Sequence, residues 1–448
     1  MHAAFFEYLD THRERFLDEL KLYCAQPSVA AQNHGMTEMA ALAQARLAAR
    51  GFTTRLIPTA GQPVVYGELG DGPRTLLIYD HYDVQPAEPL DLWETPAFTP
   101  TVRDGHLYAR GVADNKGDQI CRMQAIEAWL ATQGPLPLKI KWVIEGEEEI
   151  GSPNLDAFAH AHAELLKADG CLWEFGGKNE QDQISLTLGL KGIAYFDVRL
   201  KLMETDAHSG YAPFLPHAAW RLVWALNSLR GPDGRITLDH YWEHVRAPSA
   251  EDLAWVDQLP FDEARIKAQY GTAAFLNGMD ARAANRALHF DPTLTICGLD
   301  AGYTGQGAKT VLPKAAAAKL DFRLVPDLTP ELIHDLLRAH LDRRGFTEIE
   351  LTPHSAERYA RTRPDAAIVR AAITAARRVY GQEPVLYPVS GGSGPMYPLS
   401  DMLGIPAVCA GIGYAGARAH APNENIRLAD YWQGQRFIGE LIEAFAAP

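Results

Sequence analysis

The sequence predicts an α/β protein, with a mixed, largely parallel sheet flanked by helices and a second, α+β domain inserted into the first. Three observations carry this. Short apolar runs, R-T-L-L-I-Y-D (74–80), K-W-V-I-E (141–145), C-L-W (171–173) and I-P-A-V-C-A-G (405–411), alternate with segments of helical periodicity, as in successive β-α-β units. From about Lys191 the pattern changes to apolar/polar alternation, I-A-Y-F-D-V-R-L-K-L (193–202), which suits a half-exposed antiparallel strand. At 448 residues the chain is also longer than one core usually serves.

Taken in order, 5–24 and 36–50 have helical spacing, the latter stopping at Gly51, and 53–57 and 64–69 read as strands. The buried strand 74–80 is followed at once by His81-Tyr82-Asp83. A proline-rich loop and the turn-rich L-Y-A-R-G-V-A-D-N-K-G (107–117) then lead into a helix to about Leu130, with Asp114 just ahead of it. The strand ending near Ile144 runs into E-G-E-E-E-I-G-S (145–152) and a helix to about Leu166, and the strand 171–173 ends at Glu174. After 193–202 come D-A-H-S-G (206–210), a helix near 216–229, a polar irregular region from Gly231 to Pro292, a strand (315–326), a helix (330–341) and a strand (348–351). Helices at 365–380 and 429–445 close the chain. The expected division is therefore 1–190 with 354–448 as one domain, and 191–353 as the insert.

Composition narrows the function. Acidic residues outnumber basic ones 56 to 42, a formal charge of −14 with no Lys/Arg-rich run, which argues against nucleic acid or an anionic membrane as partner. No window approaches a membrane span and the N-terminus lacks a signal-peptide pattern. Five scattered cysteines without C-x-x-C read as reduced residues, so a cytoplasmic location is expected.

His81, Glu147/Glu148, Glu174 and His420 each follow a predicted strand, on the edge where open α/β sheets build their sites. With Asp83 and Asp114 they form an oxygen and imidazole donor set that suits hydrolytic zinc, manganese or cobalt. Two carboxylates about 4 Å apart repel by roughly 4 kcal/mol at a surface-like dielectric, so the Glu145–Glu149 run implies either a cation or open solvent. In the Glu147-Glu148 pair, one carboxylate could take a metal while its neighbour carries a proton. Singly, H-x-D could be a surface triplet and Asp114 a helix cap.

H-Y-D, A-R-G-V-A-D-N-K-G, E-G-E-E-E-I-G-S and H-A-P-N-E, in this order, resemble the di-zinc exopeptidase and deacylase family, which includes carnosinases, glutamate carboxypeptidase, acetylornithine deacetylase and succinyl-diaminopimelate desuccinylase. The resemblance covers nearly the whole chain. It implies a zinc-exopeptidase-like fold with a lid or dimerisation insert, two divalent ions (zinc ahead of manganese or cobalt), and a metallo-exopeptidase activity. Asp114 would bridge the ions, His81 and Glu174 complete one, and Glu148 and His420 the other. Glu147 would be general base and acid, Asp83 would orient His81, and a cis peptide would follow Asp114. His208 in A-H-S-G matches a lid histidine that stabilises the oxyanion, from a partner subunit in dimeric members, so a homodimer is expected; a plain turn residue is the alternative.

G-Q-G-A-K-T-V-L-P and S-G-G-S-G-P resemble the cytosolic dipeptidase and carnosinase branch, placing Thr310, Arg323 and Ser393 on substrate. Arg323 would pair with a free C-terminal carboxylate, or merely with Asp321 or Asp327. Two features depart from that branch, Glu174 in place of aspartate and Y-A-P-F-L-P after His208. The expected substrate is a dipeptide or peptide C-terminus. A deacylase of N-acyl amino acids is the alternative, and a non-catalytic metal-binding relative a remote one.

Overall fold

The computed structural model describes residues 2–447. It divides into two compact units, Met1–Gly189 with Arg361–Ser390 and Pro395–Pro448, and Leu190–Ala360 with Gly391–Gly394.

The first unit is built on a ten-stranded sheet. At its centre Lys139–Glu145, Thr75–His81, Gly170–Trp173 and Ala407–Cys409 lie side by side and parallel. Val64–Leu69 and Thr53–Ile57 extend it antiparallel on one side. Six of the seven residues of both Lys139–Glu145 and Thr75–His81 are buried, because helices cover both faces of a parallel sheet; hence their continuous apolar runs. The N-terminal segment expected as one helix is two, 2–11 and Arg13–Ala25. Tyr8, His12 and Phe16 keep helical spacing across the break, so periodicity alone misses it.

Lys116–Thr132 is buried on every side from Lys116 to Ile126, which obliges its polar residues to find partners. Arg122 finds five. It donates to Asp80 Oδ1 (2.7 Å) and to the carbonyls of Tyr79 (3.2 Å), Trp173 (2.8 Å), Glu174 (2.8 Å) and Ala410 (3.0 Å). The other Asp80 oxygen accepts from Trp142 Nε1 at 2.8 Å. One buried ion pair thereby ties four adjacent strands together. Removing one member of such a pair strands the other charge, so Arg122→Met is expected to cost about 3–5 kcal/mol, read as a lowered urea midpoint at unchanged slope.

The second unit has a four-stranded antiparallel sheet in the order Thr293–Ala301, Ala315–Leu324, Gly192–Lys201, Glu350–Glu357. Phe196, Val198, Leu320 and Phe322 pack with Leu222 of Ala218–Asn227 and with Ile333 and Leu337 of Pro330–Arg343 to form its core. Two corrections fall here. The region expected to be irregular holds the helices Ala250–Val256, Glu263–Tyr270 and Ala281–Phe290, capped by Ser249, Asp262 and Asp280. They bury only Val256, Asn285 and His289, so polar residues dominate their composition even where, as in Ala281–Phe290, an amphipathic period is present. The strand Thr293–Ala301 was not expected at all, since only Leu294 along it is buried.

Candidate metal centre

The parallel strands deliver their C-terminal residues to one rim. His81 ends its strand fully buried; its Nδ1–H donates to the Asp83 carbonyl (3.0 Å), with the Asp83 carboxylate at 3.4 Å, which turns Nε2 toward the cluster. Nε2 lies 3.0 Å from Asp114 Oδ1 and 3.0 Å from Glu174 Oε2. The other oxygen of Asp114 faces His420 Nε2 at 2.9 Å. Asp114 thus stands between two imidazoles, each on its own carboxylate oxygen. The Asp114–Asn115 peptide is cis, and Asn115 Nδ2 donates to the Glu174 carbonyl (3.0 Å).

The acidic loop differs by one residue from the sequence assignment. It is Glu149, not Glu148, whose carboxylate meets His420 Nε2 (3.2 Å), and donor atoms of His81, Asp114 and Glu149 lie within 4.8 Å of one another. The carboxylate of Glu147, assigned as the base, turns away and accepts from Asn154 Nδ2 at 2.7 Å. Glu148 lies between them in the chain, and after burial the neighbouring Glu174 raises its carboxyl while His81 lowers it. The cause is local. Gly146 passes so close to the Tyr82 ring that a Cβ would stand 2.2 Å from it, and Glu148–Ile150 then forms a 3₁₀ turn, where successive side chains fan out by about 120°. Three adjacent glutamates therefore point three ways. Asp83 fixes the turn, its two oxygens accepting from the N–H groups of Glu148 (3.2 Å) and Glu149 (2.9 Å). Glu145 faces the core, held by Tyr79 and by Ser152 Oγ (2.8 Å), with burial pushing its carboxyl up to about 8.

The electrostatics are those of a cluster short of positive charge. Burial and then Glu174 raise Glu148 well above the usual carboxylate range, and burial and Asp114 raise Glu149. Burial would raise Asp114 too, but hydrogen bonds from His420 and His81 outweigh it and hold the carboxyl far below its ordinary value. The same bonds from Asp114, then from Glu149, push His420 up to about 10. Burial opposes a proton on His81, yet Glu174, Asp114 and Asp83 draw it well above the ordinary imidazole range. A buried Glu149 Oε1 has no hydrogen-bond partner. Oxygen and imidazole donors, an orphaned carboxylate oxygen and two carboxyls raised by burial all fit divalent cations.

Within the second unit, the expected substrate residues fall into two pairs. His208 Nδ1 accepts from the Gly210 N–H (3.0 Å), and its Nε2 lies 3.5 Å from Thr310 Oγ1. Arg323 Nη1 donates to Ser393 Oγ (2.8 Å), which donates on to the Gly192 carbonyl (3.0 Å); Arg323 Nη2 also meets Asp321 at 3.2 Å. Sequence reasoning did not find Glu149, Arg122, or Gln85, whose amide donates to Glu149 Oε2 at 2.9 Å. For Glu149 the acidic run was a signal without a register; Arg122 and Gln85 give no local signal.

A largely parallel sheet with imidazoles and carboxylates gathered at its strand ends fits a metal-binding site of the open α/β kind. Comparison with known proteins makes this specific: the chain belongs to peptidase family M20/M25/M40, whose pattern matches residues 77–444. It is 26% identical over 465 residues to the Beta-Ala-His dipeptidase of Rattus norvegicus, covering 97% of this chain and 93% of that one. Among solved structures it is similar to an M20 family metallo-carboxypeptidase from Sulfolobus solfataricus, with a TM-score of 0.93 and 35% identity, covering 97% of this chain and 99% of that one. It is also similar to human carnosine dipeptidase 1, with a TM-score of 0.84 and 26% identity, covering 99% and 98%. The chain is accordingly a metallopeptidase of this family.

Proposed function

We propose that this metallopeptidase hydrolyses the amide bond of dipeptides or of C-terminal residues, and that Asp114 would be the ligand shared by two divalent cations, zinc foremost. The single observation that carries the reading is Asp114 set between His81 and His420 on separate oxygens. Glu174 would join His81 on one cation and Glu149 would join His420 on the other. Such a pair, when bound, polarises a scissile carbonyl and acidifies water. Glu148 is the proton carrier in this reading: it is the carboxylate of the acidic turn not assigned to a cation or to Asn154. It stands beside Glu174 and His81, placed to accept a proton from water and release it to the departing amine. Asp83 holds Glu148 in place through its backbone N–H.

The second unit supplies the recognition groups. His208 accepts at Nδ1, so a neutral ring carries its proton on Nε2, ready to donate to a developing oxyanion beside Thr310. Arg323 and Ser393 offer a guanidinium and hydroxyl for a free carboxylate. Arg323→Met is expected to lower kcat/KM for dipeptides by about 10–100-fold, the worth of a charge-assisted hydrogen bond of about 1.5–3 kcal/mol, while leaving the already poor dipeptide amides unchanged. Equal losses on both substrates would remove Arg323 from recognition.

A homodimer is supported by the edge strand Thr293–Ala301, where Ile296 and Leu299 are exposed, and by the exposed stacked pair Trp220 and Trp224. No helix among the described residues is long and apolar enough to cross a membrane, and the five cysteines are free, which suits a reducing cytoplasm. The decisive experiment compares dipeptides, C-terminally extended peptides and N-acetyl amino acids on chelated protein restored with zinc, manganese or cobalt. Metal-dependent cleavage of the free peptides is expected. Cleavage of the acylated amino acids alone would replace the proposal with a deacylase.

A further inference from the structure

The segment that presents Asp114 is gripped by a residue with no part in the chemistry above. Glu424 is fully buried, four positions beyond His420. One of its oxygens accepts from Arg110 Nη1 (2.7 Å) and the Gly111 N–H (3.0 Å), and the other from the N–H groups of Ala113 (2.8 Å) and Asp114 (3.1 Å). Four donors on one carboxylate exhaust its acceptor sites. Arg110 is itself held by the Pro86 carbonyl (3.0 Å) and by the face of Trp93, 5.3 Å away. The two segments are tied again by the Ala109 N–H on the Glu424 carbonyl (3.1 Å) and by the pairing of Asn425–Arg427 with His106–Tyr108.

The two sides of Asp114 are supported unequally. On one side, His81 is buried and Glu174 is anchored through its carbonyl by Asn115 and also by Arg122, which does not depend on Glu424. On the other, the His420 side chain is 55% exposed. Its segment is held down by Asn423, which bonds Leu92 and Glu94, and by Glu424.

We propose that Glu424 is a positioning residue that, by holding the Asp114 N–H from the segment bearing His420, sets how Asp114 and His420 meet and so governs the affinity of the cation on that side. This rests on the reading of Asp114 as a bridge between two cations. A carboxylate is required because all four partners are donors. The amide of glutamine would turn an N–H toward two of them.

The test is competitive zinc titration against a chromophoric chelator, using full-length, chelated wild-type, Glu424→Gln and Glu424→Asp proteins, with circular dichroism to establish folding. Wild type is expected to bind two zinc ions per chain. Glu424→Gln should bind one at wild-type affinity and the other about 10–100-fold more weakly, the usual loss when a partner of a ligand is removed. Glu424→Asp, which keeps the charge but shortens the reach, should fall between. A purely structural role would lower the melting temperature without splitting the two affinities. Two unchanged affinities in a folded Gln variant overturn the proposal. If that variant does not fold, unchanged affinities in the Asp variant overturn it, and failure of both to fold assigns Glu424 to the fold alone. Fewer than two zinc ions in wild type would instead sink the bridging reading.

Discussion

Glu148→Gln is expected to lower kcat by about 10²–10⁴-fold, the range of a general acid–base contribution, with cation content unchanged, whereas Glu147→Gln should keep near-wild-type turnover. The contrast follows from where the two carboxylates point. Glu147 spends an oxygen on Asn154, away from the cluster. Glu148 lies beside Glu174 and His81, and burial followed by Glu174 raises its carboxyl well above the usual carboxylate range. Glutamine keeps the shape and removes the exchangeable proton, so binding should survive and chemistry should not. Steady-state kinetics on a dipeptide, with metal content measured on the same preparations, decides it. An inactive Glu147→Gln beside an active Glu148→Gln would restore the assignment made from sequence.

Asp114→Asn should abolish activity by emptying the centre, with zinc affinity falling further than the roughly 10–100-fold caused by losing an outer partner. An asparagine has one oxygen to offer, so it can serve His81's side or His420's side but not both. The stability consequence is less obvious. In chelated wild type the acidic groups Asp114, Glu148, Glu149 and Glu174 surround two imidazoles, and binding relieves their repulsion. A cation at 100 times its dissociation constant adds about 2.7 kcal/mol to the folded state. Chelation should therefore lower the melting temperature of wild type and leave that of Asp114→Asn nearly unmoved. A variant that still loads two zinc ions would end the bridging role.

Much of the rim was legible because a buried parallel strand announces its own end. The apolar runs before His81 and Glu174 stop where the polar residue begins, so position along the chain gives position at the edge. The acidic loop was not legible in that way. Four glutamates in five residues share one composition, and only the 3₁₀ turn after Gly146 decides that Glu149 meets His420 while Glu147 meets Asn154. In the second unit the strand Thr293–Ala301 buries only Leu294 and so carries no apolar alternation. The helices of 231–292 do carry signals, the caps Ser249, Asp262 and Asp280 and the amphipathic period of Ala281–Phe290, which their polar composition masked. Contacts that depend on long-range closure, such as Arg122 with three strands, are invisible to any window of sequence.

The Arg122 hub has a consequence for how the rim comes into being. Tyr79, the adjacent Trp173 and Glu174, and Ala410 come from three segments far apart in the chain, and their carbonyls find a common donor only when the helix Lys116–Thr132 has docked on a completed sheet. A partly assembled first unit has no half-made centre to offer a cation. Added zinc should therefore slow global opening of this unit rather than rescue a fragment of it. In hydrogen exchange, amides of the three strand ends should gain protection together, as one cooperative block.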